Sequence, residues 1–392
     1  MANKHAGLDD LFTDIADAIR ELTGDEGTIP AVEFPDLIRG RLELIPSSPS
    51  SPSSAYLTFS SPSSFTLKTS NGAQNWNGTL EYSTNTSTWE TWDGTTELHS
   101  YISGSDNVLY LRGTNNQIIA GQDYNKGWVL TGSDIACSGN IETLLDYATV
   151  ASGEHPTMAD FCYCWMFFRC TSLTTAPTLP ATTLARYCYS AMFYGCTNLT
   201  QVQAELPSKA LEERCYFGMF SNCTNLMQAP TLPATILAER CYEQMFYGCT
   251  SLTQTPILKA TTLGEACYQD MFKGCTSITT APALPATALS DACYQGMFQN
   301  CTNLTTIPDL PATTLISNCY YDMFNGCTKI RLSTTQTGEY TKAYSIPKSG
   351  NGTTASYALY GMFKNTGGTF KSTPTINTTY YLSNTNTIVP AN

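Results

Sequence analysis

Residues 180–200 read Pro-Ala-Thr-Thr-Leu-Ala-Arg-Tyr-Cys-Tyr-Ser-Ala-Met-Phe-Tyr-Gly-Cys-Thr-Asn-Leu-Thr, and the stretch recurs along the chain with variations. Its fixed part is Cys-Tyr-x-x-Met-Phe-x-x-Cys. Fourteen of the sixteen cysteines fall into seven Cys-x7-Cys pairs: Cys162/Cys170, Cys188/Cys196, Cys215/Cys223, Cys241/Cys249, Cys267/Cys275, Cys293/Cys301 and Cys319/Cys327. The first members recur every 26 residues, with one interval of 27. Each pair is followed by Thr, a polar residue and a Leu or Ile, such as Leu199 or Ile278, and then by a turn, mostly Pro-x-Leu-Pro-Ala-Thr as at Pro177–Thr182. A fixed period of this length, in seven copies, predicts a solenoid.

Within a repeat, Leu184, Cys188, Met192 and Cys196 stand four apart, and Tyr189 and Phe193 widen the stripe. That spacing predicts one apolar face of a short helix. Thr182 or Thr183, after Pro180, fits an N-cap. Gly195 fits the left-handed position after a helix end. Gly248, Gly274 and Gly326 repeat it, and Asn222 and Asn300 substitute for it. Thr-x-Leu-Thr then reads as a short strand. The expected repeat is therefore one strand plus one helix. One repeat buries roughly 10–20 kcal/mol of gross transfer energy, and ordering its residues costs at least as much. Only stacking yields a net gain.

Helical geometry sets residues eight apart about 12 Å from each other. A disulfide needs Cα atoms within about 7 Å, and neighbouring helices lie about 8–10 Å apart. Zinc sites use spacings such as Cys-x2-Cys or clustered histidines; neither occurs, and the three histidines, His5, His99 and His155, are scattered. The cysteines are expected as small core residues in ladders: Cys188, Cys196, Cys215, Cys223, Cys241, Cys249, Cys267, Cys275, Cys293 and Cys301. Disulfides and metal ligation are the weaker readings. Cys137 and Cys164 lie outside the pattern and are expected as buried thiols too.

Outside the repeats, Leu8, Leu11, Phe12, Ile15, Ala18, Ile19 and Leu22 form the stripe of an amphipathic helix stopped at Gly24. Residues 1–45 hold ten acids and four basic residues, and are read as a helical docking or oligomerisation module rather than a simple cap. Residues 46–54, with Pro-Ser-Ser three times, are a semi-rigid linker. Residues 55–136 carry strand signals at Tyr56–Phe59, Phe65–Leu67, Thr79–Tyr82, Trp89–Trp92 and Val108–Leu111. Asn71-Gly72, Asn77-Gly78 and Asp93-Gly94 punctuate them, which predicts a small antiparallel β-sandwich. Four of the five tryptophans fall here, with the core as their expected place and sugar stacking as the alternative. Residues 137–161 are expected to cap the solenoid. Residues 162–330 form its body, with a bulge at Gln201–Leu206 where the longer interval falls. Residues 331–392 hold a last, atypical repeat around Met362-Phe363 and a C-terminal cap, with Ala358 and Thr366 in the cysteine positions. The fold class is thus α+β multidomain: an α/β repeat solenoid preceded by a β-sandwich and a helical module.

The net charge of −12 argues against a nucleic-acid groove. No run of 18 apolar residues exists, so no membrane-spanning helix is predicted. No phosphate loop, dinucleotide fingerprint, zinc-protease helix or nucleophile elbow occurs. Asp123-x-Asn125-x-Gly127…Asp134 departs from a calcium loop at its sixth and twelfth positions. No enzyme activity, cofactor or metal is expected.

The unit Leu-Pro-Ala-Thr-Thr-Leu-x-x-x-Cys-Tyr-x-x-Met-Phe-x-Gly-Cys-Thr-x-Leu-Thr resembles the BspA-like leucine-rich repeats of gut-bacterial surface proteins and their phages. Those more commonly carry Ile-Gly-x-x-Ala-Phe-x-Gly-Cys in a repeat of about 23 residues, so the first Cys here takes the place of a core Ile. The extra length leaves open whether the segment before Met-Phe is helix or a second strand. Leu11–Arg20 and Phe34–Ile38 resemble an N-terminal module of phage and prophage structural proteins, often tail-associated. These resemblances imply a virion fibre or receptor-binding protein. It would be extracellular, trimeric through its N-terminal module, attached to other virion proteins and facing a host glycan or protein. A bacterial surface adhesin and a self-packing structural subunit are the alternatives. The expected ligand surface is the strand-bearing face with Thr174, Thr175, Thr200, Thr253, Thr279 and Thr305, or the flank with Tyr194, Tyr247 and Lys273; plain solvated surface is the competing reading of both.

Overall fold

A computed structural model describes residues 56–391 of the protein, so the helical module expected at 1–45 and the linker at 46–54 lie outside the described residues. The described chain opens with β1 (Leu57–Ser61), β2 (Thr66–Thr69), β3 (Thr79–Ser83), β4 (Glu90–Trp92), β5 (Leu98–His99), β6 (Tyr101–Ser103), β7 (Asp106–Thr114), β8 (Trp128–Thr131) and β9 (Ile135–Ser138). With β10 (Leu173–Thr175), they make a sheet in the order β10-β9-β1-β7-β3-β4, with β6 also on β7, and a second sheet in the order β5-β2-β8. Every pair is antiparallel except β9–β10. Five of these strands overlie the five runs expected from sequence. The Asn71-Gly72 turn closes no hairpin, because β2 pairs with β5 and β8 instead of β3. Trp76, Trp92 and Trp128 are buried in contact, with ring centroids 5.0 and 5.6 Å apart.

A short helix, α1 (Thr143–Ala151), follows and is broken at Asp146, whose carboxylate accepts the Thr149 amide at 2.9 Å. It is the only α-helix among the described residues.

The helix expected in each repeat is absent. Instead the Cys-to-Cys segment winds through consecutive turns, with a left-handed residue every fourth position: Tyr187, Ala191 and Gly195 in one coil, Arg240, Gln244 and Gly248 two coils on. Alternate amides have different fates. Those of Cys188, Ser190, Met192, Tyr194 and Cys196 bond the carbonyl three residues back. Those of Tyr187, Tyr189, Ala191, Phe193 and Gly195 donate to the next coil, at Glu213, Cys215, Phe217, Met219 and Ser221. The apolar spacing of strictly four is the period of this ribbon. An α-helix of 3.6 residues per turn would carry the same residues progressively off one face. Gly195 and Asn222 are left-handed as expected (φ 72° and 59°), but as corners of turns rather than helix ends.

Coils stack in parallel at offsets of 26 residues, with one of 27 and a last one of 39. Tyr163, Tyr189, Tyr216, Tyr242, Tyr268, Tyr294 and Tyr320 form one ring ladder, and Phe167 to Phe363 a second, with Phe193–Phe220 centroids 5.6 Å apart and planes within 2°. Parallel bridges such as Thr175↔Gln201, Leu232↔Leu258 and Ile236↔Thr262 join the other sides. At the N-terminal end, the Trp128 amide donates to the Met166 carbonyl at 2.6 Å, as a preceding coil's Phe would, and its ring meets Phe167 edge-on. The 27-residue interval is absorbed by Gln203. Its side-chain oxygen accepts from the Leu179 amide at 2.6 Å while its nitrogen donates to the Leu179 carbonyl at 3.1 Å, so the side chain acts as a peptide group.

At the C-terminal end, β11 (Thr306–Pro308) and β12 (Thr314–Leu315) belong to the stack. Then β13 (Arg331–Ser333), β14 (Tyr340–Ser345), β15 (Thr353–Thr354), β16 (Gly367–Gly368), β17 (Thr379–Ser383) and β18 (Thr387–Val389) follow. The sheet β14-β17-β13-β16 lies here, while β18 pairs with β11 and β15 with β12. The Phe324 amide donates to Met362 at 3.0 Å, so Met362 takes the next coil's register despite the longer interval. Phe370 and Tyr344 meet Phe363 edge-on and end the ring ladder.

Candidate functional surface of the repeat stack

Four-residue turns sort the ribbon's side chains by position. Cys188, Tyr189, Met192, Phe193 and Cys196, and their equivalents in the next five coils, are buried in the continuous core. The intervening positions change from coil to coil and range from buried, as at Ser190, Ser221 and Glu243, to half-buried, as at Phe168, Tyr194 and Tyr247. The position two before Met reads Cys164, Ser190, Phe217, Glu243, Gln269, Gln295 and Tyr321; the one after Phe reads Phe168, Tyr194, Ser221, Tyr247, Lys273, Gln299 and Asn325. A uniform inner column and a varied outer one on the same backbone make this outer face the candidate binding surface.

The first two coils make it aromatic. Tyr194 lies 5.5 Å from Phe168 and 5.9 Å from Trp165, and half-exposed Tyr124 reaches Phe168 at 5.8 Å. Phe161 stacks on Tyr187 at 4.5 Å. Next comes a charged band. Arg186 pairs with Glu213, whose other oxygen accepts from the Tyr187 hydroxyl at 3.0 Å. The Arg186 guanidinium holds the Glu213 carboxyl below its usual range. Arg240 reaches Glu243 at 3.1 Å and Glu265 at 3.6 Å. Lys273 reaches Asp270 at 3.4 Å and lies 5.9 Å from the Tyr247 ring centroid. Burial outweighs these cations at Glu243 and Asp270 and pushes both carboxyls up. The aromatic contacts at Tyr194 and the Lys273–Tyr247 approach place three of the flank residues singled out from sequence on one outer column. The neighbouring Phe161, Trp165, Phe168 and Tyr187 were missed, although aligning the coils by column would have found them.

On the strand-bearing side, the Thr174 hydroxyl donates to the Ile135 carbonyl at 3.1 Å, Thr200 to Thr174 at 3.2 Å, Thr253 to Met227 at 3.3 Å and Thr305 to Thr279 at 3.0 Å. The donors of this row are used between coils. Thr175 bridges to Gln201, and Thr279 is exposed.

All sixteen cysteines are free and buried. In six successive coils the second thiol donates to the Phe carbonyl of the coil before: Cys196 to Phe167, Cys223 to Phe193, Cys249 to Phe220, Cys275 to Phe246, Cys301 to Phe272 and Cys327 to Phe298, at 2.9–3.1 Å. Burial pushes the Cys249 thiol up to about 12. Among the described residues no group of three potential metal ligands converges. Asp123 is occupied in capping the turn at Asn125, whose amide it accepts at 3.0 Å.

The BspA type leucine-rich repeat region model matches in six copies over residues 162–279, 243–348 and 269–388, together more than half the chain. The chain belongs to the BspA-type leucine-rich repeat family. No curated protein and no solved structure matches it. Family membership accords with a surface or protein-binding repeat protein built mostly of strands and turns.

Proposed function

We propose that the stacked coils are the body of a solenoid that serves as a receptor-binding or adhesion surface on the outside of a phage particle, with no catalytic role and no cofactor. The β-rich segment before it is read as a sandwich. Residues 1–45 would attach the chain to other virion proteins and trimerise it, and the Pro-Ser linker would space the binding part from the particle. Several copies would compensate for weak single contacts through avidity. The observation that carries this reading is the contrast between uniform inner and varied outer columns: a purely structural stack has no need of Phe168, Tyr194 and Tyr247 on its outer face. Aromatic side chains supply much contact area at low entropic cost.

A bacterial cell-surface adhesin with the same face is the second reading, favoured by the family itself. A self-packing filament has less support, because Trp128 and its neighbours cover one end of the ring ladders and Phe370 the other. Whole-cell binding by the full chain and by Tyr194→Ala and Tyr247→Ala variants tests the proposal. Binding should fall at least about tenfold with unchanged melting temperature; equal binding by all three proteins would remove the outer face as the contact surface.

A further inference from the structure

Each coil turns one corner on a segment that mostly reads Leu-Pro-Ala-Thr. Its leucines, Leu179, Leu206, Leu232, Leu258, Leu284 and Leu310, are all buried, and bridges such as Leu232↔Leu258 align them. The residue after Leu is Pro180, Pro207, Pro233, Pro285 or Pro311, and in the remaining coil it is Lys259. The third residue after Leu is Thr182, Thr235, Thr261, Thr287 or Thr313, and in the remaining coil it is Lys209. These two departures line one groove of about 530 Å³, together with Glu205, Thr231, Thr235 and Ile257. Lys209 and Lys259 stand in the coils on either side of the one that carries Thr231 and Thr235. Each step between these coils is 5.9 Å at the tyrosine rings. All six side chains are exposed, and neither ammonium group has an ion-pair or hydrogen-bond partner among the described residues. A single lysine on an exposed corner is ordinary surface. Two departures from the chain's own repeat that meet across an intervening coil are not accounted for by stacking, which proline and threonine serve in the other coils.

We infer that this groove binds a carboxylated saccharide, whose carboxylate is held by the Lys209 and Lys259 ammonium groups. An ammonium group only donates, and it pairs with an anion through charge-assisted hydrogen bonds. The ionised Glu205 carboxylate only accepts, so the ligand must bring donors as well as an anion, while the Thr231 and Thr235 hydroxyls serve either role. Sugar hydroxyls are such donors, and the C–H face of a sugar ring suits Ile257, which is 67% exposed. A densely charged ligand, such as a polyphosphate or an acidic peptide, fits less well, because it meets Glu205 and a chain of net charge −12. The groove falls within the ~300–1,000 Å³ of small-molecule clefts, so a short saccharide is the scale of ligand it suits. The inference does not depend on the outer face being the adhesive surface, since none of that face's aromatic residues lines this groove.

The test measures calorimetric binding of a galacturonate tetramer, a mannuronate tetramer and sialyllactose to the full chain, each beside its methyl ester. At least one acid should bind, and its neutral ester at least about tenfold more weakly. Added salt should weaken the acid and leave the ester unchanged. Lys209→Thr and Lys259→Pro restore the residues of the other coils, so both should fold, and each should weaken the acid at least about tenfold. Where either lowers the melting temperature, Lys209→Gln or Lys259→Gln takes its place. Tyr194→Ala should leave saccharide binding unchanged. The inference is overturned if no saccharide binds, if the esters bind as tightly as the acids, or if both lysine variants bind like the parent. A hexaglutamate peptide or inorganic phosphate that binds more tightly than every saccharide, with the same loss in the lysine variants, would assign the groove to another anion and overturn it equally.

Discussion

Asp270 and Gly296 occupy equivalent left-handed positions in successive coils, and a Cβ on Gly296 would collide with the Asp270 carboxylate. The same pairing of an Asn or Asp with a Gly one coil on recurs at Asn222/Gly248, Asn300/Gly326 and Asp322/Gly361. The short polar side chain tolerates the left-handed corner and leans over the next one, which must then lack a side chain. Gly296→Ala should cost about 1–2 kcal/mol for the backbone alone, with the collision added. Asp270→Ala in the same chain should recover the collision part, so thermal melts of the two single variants and the double variant should be non-additive. Additive losses would show that the corners do not interact. At the same scale, thiols this deeply buried, with Cys249 and Cys215 pushed up to about 12, should resist a thiol reagent in the folded protein. All sixteen should react once denaturant unfolds it; fast labelling of several under native conditions would contradict the core ladder.

The ribbon of consecutive turns does what a helix would otherwise do: it satisfies every alternate amide locally. It leaves the others for the next coil, which ties stability to stacking. Where the repeat lengthens by one residue, Gln203 replaces the missing peptide group. Gln203→Ala should leave the Leu179 amide and carbonyl without these partners and lower stability by about 1–3 kcal/mol. Deleting one residue from 201–205 in the same variant should restore part of the loss by returning the interval to 26. A denaturant titration reads both, and a neutral Gln203→Ala would mean that water replaces the amide. The ring ladders explain why Met-Phe persists at Met362-Phe363 although both cysteine positions there have changed to Ala358 and Thr366: Phe363 still stacks on Phe324 at 5.7 Å, while Thr366 turns its hydroxyl to the carbonyl of Phe363 at 2.8 Å.

Across the whole molecule, acids outnumber bases by twelve, and several acids sit where ionisation is disfavoured. Burial raises Glu142, Glu243 and Asp270, so the folded state binds their protons more tightly than the unfolded chain. The destabilisation they impose when ionised is relieved as pH falls through their raised values. Glu213 works in the opposite sense: Arg186 lowers it, and its contribution is lost only as pH falls through that depressed value. Stability should therefore rise from neutral pH into the upper carboxylate range and fall at lower pH. Glu243→Gln should flatten the rise. Melting temperature against pH at constant salt checks this, and a steady fall from about pH 7 downward would contradict it.

The 26-residue period, the buried Cys-Tyr-x-x-Met-Phe-x-x-Cys columns, the left-handed Gly and Asn corners and the five N-terminal strand runs follow from the order of residues alone. Each is a local preference repeated until it becomes unambiguous. The choice between helix and turn ribbon does not follow from it. Leu184, Cys188, Met192 and Cys196 satisfy a helical stripe over this short span, and only the neighbouring coil, by accepting alternate amides, makes the ribbon the better use of the backbone. The varied outer face was partly legible through Tyr194 and Tyr247, whereas the groove between Lys209 and Lys259 was not. It exists because stacking sets the two lysines on either side of one coil, and which residues meet across a coil is decided by the stack, which no single repeat encodes.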